Sequence, residues 1–339
     1  MDYNRKTIFI SGVAGFLGSH LAERLLMRGH RVIGCDNLIG GYLDNVPAGV
    51  EFYTYDCGDR DAIQKIMRGA EIVYHCACTA YEGLSVFSPH LIARNTFDIT
   101  VSVLSAAIAN KAHRFVFCSS MARYGTQETV PFAEEMTPRP QDPYGISKYA
   151  AELMVRNLCK THNIEYVIAV PHNIIGPRQK YDDPFRNVAS IMINLMLQGR
   201  QPIIYGDGEQ KRCFSFIADV VDPLEKLGFL PEVAGELINL GPDEEFVSIN
   251  TLAQKTADLL NFPIKQVFMP GRPCEVKLAT CSADKARRIL GYTTSTSLTQ
   301  GLEHMIHYIR SRGVKPFRYH LDLEIVSDIT PSTWKDKLL

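Results

Sequence analysis

A glycine triplet set between an apolar run and a helical pattern constrains this 339-residue chain more than any other feature. Thr7–Ser11 reads as a strand. Ser11-Gly12-Val13-Ala14-Gly15-Phe16-Leu17-Gly18 follows it, and Phe16–Arg28 has helical spacing closed by Gly29. Glycines at 12, 15 and 18 permit a tight turn and let a pyrophosphate approach the helix N-terminus, where free N–H groups and the helix dipole favour anions. The next strand adds weight. Arg31–Cys35 ends in Asp36, about 20 residues after the loop, where an acid binds the ribose hydroxyls of an adenosine. A carboxylate there repels a 2′-phosphate, so the pattern points to NAD over NADP. Asp56, near the end of a third strand at Glu51–Tyr55, is a candidate for contact with the adenine.

Further strands are predicted at Ile72–Cys76, Arg114–Cys118 and Tyr166–Val170, with helical stretches at Asp61–Arg68, Leu91–Asn110 and Tyr144–His162 between them. Strands alternating with helices imply crossovers and a parallel sheet covered on both faces, an α/β fold with a doubly wound sheet. After Pro171 the texture changes: Gly176-Pro177, Gly206-Asp207-Gly208, Gly241-Pro242 and Gly271-Arg272-Pro273 punctuate shorter helices at Val188–Leu197, Ile249–Leu260, Asp284–Leu290 and Leu298–Arg312. The expected division is a cofactor-binding domain over 1–175, with a segment near 203–222 returning to it, and a smaller α+β substrate region over 176–339. That second part ends in an extended tail from Val314.

Composition narrows the setting. With 36 basic and 37 acidic side chains, no cationic excess is available to neutralise a nucleic-acid backbone. No uninterrupted run of 18 apolar residues exists, and Met1-Asp2-Tyr3-Asn4-Arg5-Lys6 leads straight into a strand, so neither a membrane span nor a leader is expected. The nine cysteines are odd in number, and Cys76 and Cys78 lack the second pair that a zinc site wants. Free thiols, no metal and a cytoplasmic location are expected.

Tyr144-Gly145-Ile146-Ser147-Lys148 opens a helix after Pro143 and puts Tyr144 and Lys148 on one face. A free phenol titrates near 10, and a neighbouring ammonium stabilises its anion, which suits it to general-base work. The pair follows Cys118-Ser119-Ser120, at the carboxyl end of a strand, where open α/β sheets place their chemistry. A serine hydroxyl there can hydrogen-bond the reacting oxygen.

In this order the glycine loop, Asp36, Ser119-Ser120 and Tyr144/Lys148 resemble the extended short-chain dehydrogenase/reductases, and within them the NAD-dependent nucleotide-sugar epimerase/dehydratase family, over nearly the whole chain. Phe117–Gly125 is similar to the family's serine strand and Val-Tyr-Gly. Pro171–Gln179 resembles its Asn-x-x-Gly-Pro-Arg segment, and Ile204–Arg212 and Gly271–Pro273 its diphosphate-binding stretches. The resemblance implies a Rossmann-type domain holding NAD through Gly12, Gly15, Phe16, Leu17, Gly18, Asp36, Asn37, Asp56, Cys57, Cys76, Ala77, Asn95, Cys118, Tyr144, Lys148 and Pro171. It implies Tyr144, Lys148 and Ser120 as the catalytic residues. A nucleotide sugar is then expected on Ser120, Met121, Ala122, Arg123, Tyr144, Asn173, Val188, Arg212, Arg272 and Glu275, with the diphosphate on Asn173, Arg212 and Arg272. UDP is the nucleotide that the resemblance favours.

Members that eliminate water carry Asp-Glu directly after the catalytic Ser/Thr; here those positions are Met121 and Ala122. With no acid or base for proton removal from carbon, the implied reaction is 4-epimerisation of a UDP-hexose or UDP-N-acetylhexosamine through a 4-keto sugar. The competing readings are a dehydratase using Glu128 or Cys76/Cys78, a hexuronate epimerase in which Arg123 holds a carboxylate, and a non-catalytic NAD-binding protein, which the retained Tyr-Lys pair disfavours. Ala279 resembles the small residue of members that admit N-acetylated sugars. The apolar faces of the helices near Leu91–Asn110 and Tyr144–His162 resemble the family's dimer bundle, so a homodimer is expected.

Overall fold

The computed structural model describes residues 5–339; the expectation about the first residues of the chain therefore lies partly outside it. Strands β1 (Thr7–Ser11), β2 (Arg31–Cys35), β3 (Glu51–Tyr53), β4 (Ile72–His75), β5 (Arg114–Cys118) and β6 (Glu165–Pro171) join Leu237–Leu240 in one seven-stranded sheet. The order is Leu237–Leu240, β6, β5, β4, β1, β2, β3, and every pairing is parallel. This is the doubly wound α/β architecture that the alternating pattern predicts, with the direction of winding reversing between β1 and β4.

Side chains alternate across the sheet with period two. On one face Phe9, Ile33, Val73, Phe115 and Ile168 pack with Val103, Leu104 and Val155 from the helices Ile99–Ala109 and Pro143–Thr161. On the other, Ile8, Ile10, Val32, Val116 and Val167 meet Leu21 and Leu25 of α1 (Phe16–Met27), Val220 and Leu224 of Ile217–Leu227, and Leu290. Because both faces are covered, the strands read as continuous apolar runs. A separate core of Tyr181, Met192, Ile193, Leu252, Leu302 and Met305 holds the smaller region.

Three features depart from the sequence reading. The chain returns to the main sheet beyond 203–222, through Ile217–Leu227, the strand Leu237–Leu240 and the helix Asp284–Leu290, while Ile203–Tyr205 pairs with Val267–Met269 outside that sheet. The stretch predicted as one helix at Leu91–Asn110 begins at Pro89 and carries a π-helical turn at Arg94–Asp98, a feature often found at functional sites. Its polar residues interrupt the apolar run, yet Pro89–Ala109 is long and apolar enough by length and composition to cross a membrane. Half of its most apolar window is buried inside the fold. Finally, the tail contains a short helix, Ser332–Lys335.

Candidate active site

The carboxyl ends of the strands, on both sides of the reversal point, open into a cleft of about 440 Å³. Gly12 has φ +75°, and a Cβ on it would lie 2.8 Å from Ala77 N; one on Gly18 would lie 2.2 Å from Gly12 O. The turn thus needs glycine at both places, and it leaves the N-terminus of α1 open to the cleft beside Gly15, Phe16 and Leu17. Asp36 closes β2: one carboxylate oxygen accepts from Ala14 N at 3.0 Å and the other from Leu38 N at 2.7 Å. Burial raises its pKa against the pull of those bonds. Asn37 Nδ2 donates to Asp56 Oδ2 at 2.9 Å, and Cys57 Sγ lies 3.7 Å from Cys35 Sγ. The cradle of backbone without Cβ atoms, with a carboxylate at its far end, fits an NAD molecule, and Cys76, Ala77, Asn95, Cys118 and Pro171 continue the same wall.

Helix Pro143–Thr161 brings the chemistry to this wall. Asp142 caps it, accepting from Gly145 N at 2.9 Å, and Pro143 occupies the first turn, where a missing N–H costs nothing. Tyr144 and Lys148 both line the cleft, with Lys148 Nζ 6.0 Å from the Tyr144 ring centroid and donating to Cys118 O at 2.7 Å. The Tyr144 phenol is pushed up, first by burial and then by Cys78, with a hydrogen bond to Ser120 pulling the other way. His75 is bound on both ring nitrogens, to Ser11 Oγ at 2.6 Å and Thr100 Oγ1 at 2.9 Å. Burial and the Lys148 charge push its pKa down to about 3, so it stays neutral and ties β1 to β4 and the helix beyond.

At the other end of the cleft, Asn173 (φ +43°) donates from Nδ2 to Cys213 O at 3.0 Å. The Arg212 guanidinium is held by Val276 O at 2.7 Å and Lys211 O at 2.8 Å, and Arg272 Nη2 donates to Glu275 Oε1 at 2.7 Å. Arg272 Nε is buried without a partner. Val188 and Met121 also line this end.

Ala122 and Arg123 do not line the cleft. Ala122 packs with Tyr81, Tyr144 and Phe185 in an apolar cluster. Arg123 turns inward onto Glu152, which corrects its expected role as a carboxylate holder: its charge is already neutralised inside the fold. Ala279 is buried in the core beside Val276 and Cys281 and does not face the cleft. Glu128 lies on the surface, 90% exposed beside Arg139, far from any acid–base role in this cavity.

The sequence reading passed over Tyr81, Glu82, Phe185, Arg186 and Trp334, all of which line the cleft beside Tyr205 of the Ile204–Arg212 stretch. Burial pushes the Glu82 carboxyl up to about 7, with Asp142 adding to the shift and Arg212 opposing it. Arg186 is partly buried, donates from Nη2 to Gly40 O at 2.9 Å, and sets its Nε, which has no hydrogen-bond partner, 3.7 Å from Asp183 Oδ2. A signal for the first two existed: Tyr81-Glu82 opens the short helix that follows β4, at the carboxyl edge where such sheets place ligands.

Comparison with known proteins agrees with this geometry. Residues 8–241 match the model of the NAD dependent epimerase/dehydratase family. A putative UDP-glucose 4-epimerase of Methanocaldococcus jannaschii is 31% identical over 311 residues, covering 90% of this chain and 99% of its own length. The crystal structure of UDP-glucose 4-epimerase from Thermotoga maritima with UDP-glucose superposes with a TM-score of 0.84 at 29% identity, covering 90% of this chain and 99% of that one. UDP-glucuronic acid 4-epimerase from Bacillus cereus, in complex with UDP-glucuronic acid and NAD, gives 0.84 at 28% identity, covering 91% and 100%. With that model matched over most of its length and a relative 31% identical across 90% of it, the chain belongs to the NAD dependent epimerase/dehydratase family.

Proposed function

We propose that this chain is a UDP-sugar 4-epimerase, interconverting the C4 configurations of a UDP-hexose or UDP-N-acetylhexosamine. One observation carries the reading: Tyr144, Lys148 and Ser120 line one cleft, while the two positions after Ser120 hold Met121 and Ala122, neither of which can move a proton. NAD, when bound, supplies a reversible hydride acceptor, so that the sugar passes through a 4-keto form with no net oxidation. Tyr144 takes the proton of the C4 hydroxyl, Ser120 hydrogen-bonds that oxygen, and Lys148 brings a positive charge to the phenol. Arg212 and Arg272, with Asn173, hold the diphosphate, a task suited to guanidinium geometry.

A second reading, dehydration, rests on Glu82, a carboxyl in the cleft that is half protonated near neutral pH. The hexuronate reading loses Arg123, though the partly buried Arg186 keeps a cation in the cavity. The proposal includes a cytoplasmic homodimer, supported by free thiols and by Ile146 and Leu153, half exposed on the outer face of the Tyr–Lys helix. A monomer mass by light scattering at working concentration would count against the dimer.

The test is to incubate the purified protein with UDP-N-acetylglucosamine, without added cofactor, and follow the anomeric protons by NMR. Appearance of the galacto epimer supports the reading. A persistent 4-keto-6-deoxy or unsaturated product transfers it to Glu82 and elimination. If neither forms, the same experiment with UDP-glucose and UDP-glucuronate decides the sugar.

A further inference from the structure

The chain beyond Leu298–Arg312 runs back over the cleft and is fastened along its length. The side-chain amides of Asn194 and Gln198 donate to Lys315 O at 2.9 and 3.0 Å, and Arg318 N donates to Asp182 O at 2.8 Å. The Glu324 carboxylate accepts from His90 N at 2.9 Å and Leu91 N at 2.7 Å, capping a helix more than two hundred residues earlier. The short helix Ser332–Lys335 then sets Trp334 into the wall of the cleft, 3% exposed. Its indole N–H donates to Pro184 O at 3.2 Å, and its ring centroid is 5.5 Å from that of Phe185 and 6.4 Å from that of Tyr205.

Beside it, the Thr333 hydroxyl is hydrogen-bonded to the Tyr205 hydroxyl. Tyr205 in turn carries the Arg272 guanidinium, 4.8 Å from its ring centroid. Gly83, in the short helix Glu82–Ser85 that follows β4, faces Arg272 Nη1 and Trp334 Cη2, which a Cβ on it would approach to 3.1 and 3.2 Å. Strap, ring and guanidinium are thus one packed stack, and its outermost member, Arg272, leaves a buried Nε without a partner. A donor with no acceptor inside a fold costs free energy unless a ligand supplies one.

We propose that this C-terminal strap is part of the nucleotide-sugar site, with Thr333 and Trp334 as positioning residues that fix Tyr205, and through it Arg272, for a nucleoside diphosphate. The proposal rests on the reading of Arg272 as a diphosphate ligand. Its reach is specific: a hydroxyl is needed at 333 to hold the tyrosine, and a flat ring at 205 to set the plane of the guanidinium.

The experiment measures UDP affinity by calorimetry on the full NAD-loaded chain, for the wild type, Thr333→Val, Thr333→Ser, Arg272→Gln and the Thr333→Val/Arg272→Gln double variant. Loss of one such hydrogen bond should raise Kd for UDP about tenfold in Thr333→Val, while Thr333→Ser stays within about twofold. In the Arg272→Gln background the Thr333→Val change should cost nothing further, because the coupling runs through the missing side chain. In turnover, KM for the sugar nucleotide rises and kcat holds. Trp334→Phe keeps a ring but removes the indole N–H, and should weaken UDP binding by about threefold, an effect independent of whether Thr333→Val folds. Unchanged UDP affinity in Thr333→Val and Trp334→Phe overturns the proposal. So does an equal loss in both Arg272 backgrounds, which would be general loosening. A wild-type chain that binds NAD but neither UDP, dTDP nor GDP overturns the diphosphate reading itself, and the strap's role falls with it.

Discussion

Arg123 Nε sits 2.9 and 3.0 Å from the two carboxylate oxygens of Glu152, and both side chains are 5% exposed or less. The Ser119 hydroxyl donates to the same carboxylate, so the loop that presents Ser120 is tied to the helix that presents Tyr144 and Lys148. Burial raises the Glu152 pKa, and the Arg123 charge beside it pulls it back. Removing one partner strands the other: Glu152→Gln should lower unfolding stability by about 3–5 kcal/mol in a urea titration. Replacing both, Arg123→Met with Glu152→Leu, should cost much less.

Tyr144→Phe keeps the ring in its apolar cluster and removes the phenol that is hydrogen-bonded to Ser120. Turnover of the UDP-sugar should fall by at least about a thousandfold, within the range for loss of a general base, while NAD content and thermal midpoint hold. A variant with near-normal turnover would remove Tyr144 from the chemistry.

Asp36→Asn preserves the acceptor toward Ala14 N or Leu38 N but removes the charge at the end of β2. NAD should bind about tenfold more weakly, and the preference for NAD over NADP should shrink, measured by titrating cofactor into the stripped protein.

Glu82 carries a sign that can be worked through. Its carboxyl titrates at about 7 in the fold against 4.5 ordinarily, with burial as the first cause. Between those values the native state holds the extra proton, so stability falls as pH rises through that window, at up to about 1.4 kcal/mol per unit. Glu82→Gln should flatten the curve, and its gain over wild type should be largest above the folded pKa. If Glu82 also moves a proton in turnover, the limb of kcat/KM near pH 7 disappears with it.

What was legible in the sequence was whatever depends on local order. β1, β2 and β5 and the helices Val188–Leu197, Ile249–Leu260, Asp284–Leu290 and Leu298–Arg312 fall where periodicity and capping residues put them. The glycine loop and the Tyr144–Lys148 spacing are likewise local signals. What was hidden depends on which distant segments meet. Leu237–Leu240 is too short and too isolated to read as a strand until β6 offers it an edge. Arg123 reads as a free cation until Glu152, 29 positions away, folds onto it. Glu82 and Trp334 have ordinary neighbours in the sequence and become part of one cleft only in three dimensions.

That late strand has a consequence for biosynthesis. A ribosome that has released residues 1–175 has exposed β6 with one whole edge unpaired, and the segment that covers it is still some sixty positions from being made. The nascent chain thus carries an open, apolar sheet edge until Leu237–Leu240 emerges. A message cut short before that point would yield a product prone to stick to its own kind, however complete its glycine loop and its tyrosine helix.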